Sequence, residues 1–160
     1  MRYSAGAATG ILTVGGNGAG NTNNQLNSPN GIYFDSTSNS LVIANTGGNN
    51  IVHWVITQPT WTLLAGNSDG TAGTSSTALS APIGVTLDSV GNMYVADTGN
   101  HRIQLFKVGQ TNGITIAGVT GTLGNTVFLL NKPSAVRLDS QGNLYVADTK
   151  NNRIQKFTCI

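Results

Sequence analysis

"NMYVADTGNHRIQLF" at 92–106 and "NLYVADTKNNRIQKF" at 143–157 lie 51 residues apart and share an Asp, a Thr and an Arg at fixed spacing. Residues that recur this way either do chemistry or build the same thing twice. Extended outward, the pair becomes three copies: "SPNGIYFDSTSNSLVIANTGGNNIVHW" (28–54), "APIGVTLDSVGNMYVADTGNHRIQLF" (81–106) and "KPSAVRLDSQGNLYVADTKNNRIQKF" (132–157). Pro29, Pro82 and Pro133 are separated by 53 and 51 residues, and Ala44, Ala96 and Ala147 by 52 and 51. The first copy therefore carries one extra residue, in 36–40, where a turn absorbs it.

Each copy is joined to an apolar segment ending in glycine: "ILTVGG" (11–16), "WTLLAG" (61–66) and "ITIAG" (114–118). The unit thus has four strand-sized pieces, which in the second copy fall at 84–88, 93–97, 102–107 and 113–117 with Gly-Asn turns between the first three. Both parities of "MYVA" and "VTL" are apolar, so these strands are covered on both faces. Repeated four-stranded antiparallel sheets of this period, without helical patterning, point to β-propeller blades.

Composition agrees with an all-β chain. Of 160 residues, 39% are hydrophobic and only 9% charged, with 21 glycines and an abundance of Val, Ile, Thr and Asn. This length suits a single domain over 1–160. The net charge of +2 is spread without a Lys/Arg run, and no segment approaches the roughly 18 apolar residues of a membrane span. No membrane partner is expected. Cys159 is alone, which excludes an internal disulfide framework and a multi-cysteine metal site.

The second copy, read as P-x-G-V-x-L-D-x-x-G-N-x-Y-V-A-D-T-G-N-H-R-I-Q, resembles the NHL repeat; the third copy follows it closely. The first departs, with Asn45 for the Asp and Gly48-Asn49-Asn50 for Asn-His-Arg. The resemblance implies a six-bladed ring, of which three blades (about 28–66, 81–118 and 132–160) are half. The chain begins with an isolated fourth-strand segment, 11–16, and ends on a third strand without a fourth. Residues 11–16 are therefore expected to complete a blade of a neighbouring chain, or to close the ring, so that either a homodimer closing a six-bladed ring or a fragment of a longer six-bladed chain is expected.

Of the six Asp, five occupy repeat positions: Asp35, Asp88 and Asp139 end first strands, Asp97 and Asp148 end second strands. A catalytic residue need occur once, whereas a structural one serves every blade, so these are expected to cap turns and to pair with Arg102 and Arg153. In the first copy Asn45 and Asn50 replace both members of that pair together. His53 and His101 sit at different repeat positions, no G-x-S-x-G is present, and "GGNGAG" (15–20) lacks the Lys-Ser/Thr of a phosphate loop. Neither catalysis nor a metal or other cofactor is expected.

Binding is the expected role. The turn between strands two and three and the connection to the next blade leave a blade at the same end, which collects the residues that differ between copies. The binding candidates are Asn49, Asn50, His101, Arg102, Lys132, Lys150, Asn152 and Arg153. NHL modules serve as interaction domains, so a protein or peptide is the expected partner. Single-stranded RNA on a basic face is the rival that the resemblance also implies, and a self-assembling repeat without a ligand is the third reading.

Overall fold

The computed structural model describes Gly6 and residues 9–158, so Cys159 lies outside the described residues. Eleven strands form three antiparallel sheets among these residues. Blade 1 contains β1 (Pro29–Asp35), β2 (Ser40–Asn45), β3 (Asn50–Val55) and β4 (Thr62–Gly66) in that spatial order. Blade 2 repeats it with β5 (Gly84–Leu87), β6 (Met93–Asp97), β7 (Arg102–Phe106) and β8 (Ile114–Gly118). Blade 3 has three strands, β9 (Pro133–Leu138), β10 (Leu144–Asp148) and β11 (Arg153–Phe157). The strands expected in the second copy agree with the observed ones to within a residue or two at each end.

Register is the same in every blade. Ala44 faces Ile51, Ala96 faces Ile103 and Ala147 faces Ile154 across the β2–β3 type of pair. A bulge interrupts each of the two outer pairs at the same place, between Ile51 and Val52 in blade 1 and between Ile103 and Gln104 in blade 2. Asp35, Asp88 and Asp139 close the first turn of each blade: the N–H groups of Thr37, of Val90 and Asn92, and of Gln141 and Asn143 donate to their Oδ1 atoms. The carboxylates cap turn N–H groups as the repeat predicts.

Neighbouring blades stack face to face. One core joins Val42, Ala44, Ile51 and Ala65 of blade 1 to Val85, Met93, Val95 and Phe106 of blade 2. The next joins Ala96, Ile103 and Ala117 of blade 2 to Val136, Leu144 and Val146 of blade 3. The loop residues Leu79 and Leu130, both fully buried, wedge into these two seams. Burial of one such aliphatic side chain is worth about 1.5–3 kcal/mol, so the seams dominate the stability of the stack.

Backbone contacts set the spacing. The N–H of Gly31 donates to the carbonyl of Ile83 (2.8 Å), and a Cβ on Gly84 would stand 2.8 Å from the carbonyl oxygen of Ser134. Both glycines let the inner strands of adjacent blades approach closely. Thr46 Oγ1 donates to the carbonyl of Pro82 and Thr98 Oγ1 to that of Pro133, each at 2.6 Å. The repeated Thr and Pro are one latch between blades.

The two ends of the stack are bare. Ile154 is 67% exposed, while its equivalents Ile51 and Ile103 are fully buried. At the other end, Ile32 and Phe34 are exposed where Val85 and Val136 are buried and Leu87 and Leu138 half-buried. Residues 11–16 form no strand in this chain; only Ile11 carries an isolated bridge. Val14 and Leu26 pack instead on a third cluster, Ile43, Val52, Trp54 and Trp61, on the outward face of blade 1.

Candidate functional site

The residues that vary between copies sit at the end of the blades carrying the short 3-10 turns Thr46–Gly48, Thr98–Asn100 and Thr149–Asn151. Each turn ends on a residue in the left-handed region: Asn49 (φ 51°), His101 (φ 58°) and Asn152 (φ 54°). Asn tolerates this conformation because its short amide hydrogen-bonds locally.

Beneath the turns lies one polar network, built twice with charge and once without. Arg102 Nε donates to Asp97 Oδ2 at 2.8 Å, and Arg153 Nε to Asp148 Oδ2 at 2.8 Å. Asn100 and Asn151 Nδ2 donate to the same carboxylate oxygens, and the N–H groups of Ser80 and Asn131 to the other ones. In blade 1 Asn45 Nδ2 donates to Asn50 Oδ1, and the N–H of Asn27 donates to Asn45 Oδ1. Gly48 stands where the other blades have Asn, and a Cβ there would strike the Asn45 amide. Replacement of the whole set leaves neither an unpaired charge nor a facing pair of donors.

The guanidinium groups also organise the loops. Arg102 Nη1 and Nη2 donate to the carbonyls of Thr74, Ser75 and Ala78 and to Thr120 Oγ1; Arg153 reaches the carbonyls of Asn125, Thr126 and Leu129 in the same way. Arg102 is 3% exposed. Asn50 is fully buried, its Nδ2 on the carbonyl of Asn67. Arg102 and Asn50 are thus held inside the blades, and Arg153 is half-buried against its loop.

The long loops start and finish at this end, but their middles do not stay there. Gly73 N–H closes onto the carbonyl of Leu79 and Gly124 onto that of Leu130, and between these points the chain makes an excursion. Its tip in blade 2, Ser76, accepts from the N–H of Gly113, beside the far end of the outer strand; Asn23 accepts likewise from Trp61. The expectation that these loops gather wholly at one end is corrected accordingly, because the arginines and the outer strands draw them down the rim.

Charge is distributed unevenly over the same residues. Burial pushes the Asp97 carboxyl above its ordinary 3.8, against hydrogen bonds from Ser80, Asn100 and Arg102. At Asp148 burial acts in the same direction but hydrogen bonds from Asn131, Asn151 and Arg153 outweigh it, so its carboxyl is held below 3.8. Blade 3 ends the stack and is less enclosed. His101 is lowered from 6.5 by burial and then by the charge of Lys132, and its Nδ1 accepts the N–H of Lys132 at 3.1 Å. Asn49 Oδ1 takes the same part toward the N–H of Ala81 at 2.7 Å.

Lys132, Lys150 and Asn152 are the candidates that face solvent. Lys150 N–H donates to the carbonyl of Asn131, which brings Lys150 and Lys132 to adjoining turns. The turn 119–122 closes onto the same end, with Gly121 N–H on the carbonyl of Asn100; Val119 in it and Leu123 just after it are exposed apolar residues. These two were missed in the sequence, although Leu123 stands out against Ala72 of the preceding loop. Among the described residues no group of three His, Cys, Asp or Glu comes together to hold a metal.

Residues 79–106 and 130–157 match the family profile described as NHL repeat. The chain belongs to the NHL-repeat family. It is 32% identical to NHL repeat-containing protein 3 of Mus musculus over 143 residues, 89% of this chain and 38% of the mouse protein. The protein of the same name from Homo sapiens is 31% identical over 133 residues, 81% of this chain and 35% of its own length. The chain spans little more than a third of either relative. An auxiliary nutrient binding protein from Bacteroides thetaiotaomicron shares the fold at 21% identity and a TM-score of 0.62, over 78% of this chain and 36% of that one. The profile's two segments span the first three strands of blades 2 and 3, the blades with the Asp-Asn-Arg network, and omit blade 1, in which Asn45, Gly48 and Asn50 replace it.

Proposed function

We propose that these NHL-repeat blades are a non-catalytic scaffold that recognises a protein or peptide on the turn-bearing end of blades 2 and 3. One observation carries this reading. The polar residues common to the copies are engaged in the blade networks, whereas the copy-specific ones, Lys132 and Lys150, face solvent, as do the apolar Val119 and Leu123 in the loop that leads into blade 3. Two exposed cations and two exposed aliphatic side chains on this loop and the turns it adjoins suit a segment bearing acidic and apolar residues. Single-stranded RNA fits less well, because Arg102 and Arg153 are spent on loop carbonyls instead of a basic track, and the three 3-10 turns contain no aromatic residue for bases to stack on.

Selection of peptides from a displayed random library on the folded chain tests the proposal. Selected peptides enriched in Asp or Glu with aliphatic residues, and competed off by one another, are expected. Failure to enrich any peptide, together with salt-sensitive retention of oligouridine at low salt, overturns it in favour of RNA.

A further inference from the structure

We propose that the seam between blades 1 and 2, at the end of the blades remote from the 3-10 turns, binds a small, largely apolar molecule whose hydroxyl group donates to Nδ1 of His53. This goes beyond the peptide-binding reading and does not depend on it.

One chain of hydrogen bonds sets the chemistry. Ser38 Oγ donates to Asp35 Oδ2 at 2.5 Å, Ser38 Oγ and Ser40 Oγ stand 2.6 Å apart, and Ser40 Oγ is 2.7 Å from His53 Nε2. Hydrogen bonds from the Ser38 hydroxyl and the Thr37 N–H hold the Asp35 carboxyl below its ordinary 3.8, so at neutral pH it is a carboxylate and only accepts. Each hydroxyl has one proton to give. Ser38 therefore gives its proton to Asp35, Ser40 gives its own to Ser38, and the remaining contact is a bond from Nε2–H of His53 to Ser40. The neutral ring is fixed as the Nε2–H tautomer. Its Nδ1 is left as an acceptor without a partner among the described residues.

This chain is peculiar to blade 1. In blades 2 and 3 Asn92 and Asn143 stand at the place of Ser40, and their Nδ2 atoms donate directly to Asp88 and Asp139 Oδ2. Leu105 and Lys156 stand at the place of His53. The extra residue of the first copy, within 36–40, makes room for a second hydroxyl, so that a network confined to the turn in the other blades reaches β3 in this one. Capping of the turn does not require that extension, because the Thr37 N–H already donates to Asp35 Oδ1. Ser40 is fully buried, which keeps the relay out of water.

His53 borders a recess. It pairs with Val42, which belongs to the core shared with blade 2. A cavity of about 280 Å³ opens there, lined by Asp35, His53 and Leu64 on one wall and by Met93, Phe106 and the turn 107–110 on the other. That size is at the small end of sites for small molecules, so the ligand is compact. Leu64, Met93 and Phe106 receive its apolar body, and Nδ1 supplies the directional acceptor. Asp35 and Lys107, which line opposite walls, balance in charge and suit an uncharged ligand.

Phenol, an apolar ring with one hydroxyl, is the probe, and the ring nitrogens of His53 in the isotope-labelled chain are the readout. Long-range proton–nitrogen correlation spectra in mildly alkaline buffer, in which histidine is neutral, are expected to show the Nε2–H tautomer. Added phenol is expected to shift Nδ1 saturably, together with the amides of 107–110. Fluorobenzene, of nearly the same shape but without the donor, is expected to bind at least about fivefold more weakly. His53→Leu, which installs the residue of blade 2, is expected to keep the circular dichroism of the blades and to bring phenol down to the affinity of fluorobenzene. Ser38→Ala frees the Ser40 hydroxyl to donate to Nε2; it is expected to populate the Nδ1–H tautomer and to weaken phenol with His53 still in place. The absence of a saturable shift with phenol, or equal affinity for phenol and fluorobenzene, overturns the site. An unchanged tautomer in Ser38→Ala overturns the proton chain that builds it.

Discussion

Arg102 and Asp97 meet at 2.8 Å with side chains 3% and 0% exposed, and the other two guanidinium nitrogens reach loop carbonyls and a hydroxyl. One side chain therefore ties a blade hairpin to the loop preceding that blade. Arg102→Ala leaves a buried carboxylate unpaired and frees three carbonyls, at a cost of about 3–5 kcal/mol in chemical denaturation. Arg102→Lys is expected to recover only a small part, since an ammonium cannot reproduce the planar fork. The triple change Asp97→Asn, Asn100→Gly, Arg102→Asn, which copies blade 1, is expected to cost less than Arg102→Ala alone.

The left-handed turn residue offers a pH test. His101 accepts the N–H of Lys132 through Nδ1, which requires a neutral ring, and its titration is lowered from 6.5 in the folded chain. The unfolded chain takes up the proton first as pH falls, so the stability linked to His101 is full above pH 6.5 and declines below it. His101→Asn, the residue found at 49 and 152, is expected to remove that part of the pH dependence in denaturation curves between pH 5 and 8, changing stability at pH 8 by no more than about 0.5 kcal/mol.

The two buried carboxylates are expected to titrate on opposite sides of 3.8, Asp97 above and Asp148 below, in carbon-detected NMR. The linkage signs are opposite as well. Asp148 contributes stability that is present above 3.8 and is lost as pH falls through its folded value. Asp97, with its raised folded value, favours the folded chain most at low pH and gives up that contribution as pH rises from 3.8 through its folded value. Equal titration of the pair would contradict the difference in enclosure between blades 2 and 3.

Gly84 is fixed by close approach of backbone. A Cβ there would lie 2.8 Å from the Ser134 oxygen and 2.9 Å from the Ala135 Cα, neither of which is the end of a flexible side chain. Gly84→Ala is expected to cost about 1–3 kcal/mol by forcing blades 2 and 3 apart, read from the thermal midpoint.

Much of this was legible in the sequence for a physical reason: a residue that must serve every blade is written three times. The recurrence of Asp35, Asp88 and Asp139 marked turn caps, and the joint change at Asn45 and Asn50 marked a pair. The loops were less legible. Arg102 and Arg153 are held there by backbone carbonyls, which every residue carries, so nothing in "TSSTA" or "NTVFL" announces that the chain folds down the rim. The binding candidates Asn50 and Arg102 look available for the same reason, and Val119 and Leu123 carry no signal because a single aliphatic residue in a Gly/Thr-rich loop does not show from sequence whether it is buried.

On the proposed reading, residues that recur build the blades while residues that differ recognise the partner. Affinity of a selected peptide for the Lys132→Ala, Lys150→Gly variant, which carries the blade 2 residues Ala81 and Gly99 at those places, tests it most directly. A loss of tenfold or more, about 1.4 kcal/mol, with the unfolding transition unmoved is the predicted result. Unchanged affinity would contradict the account.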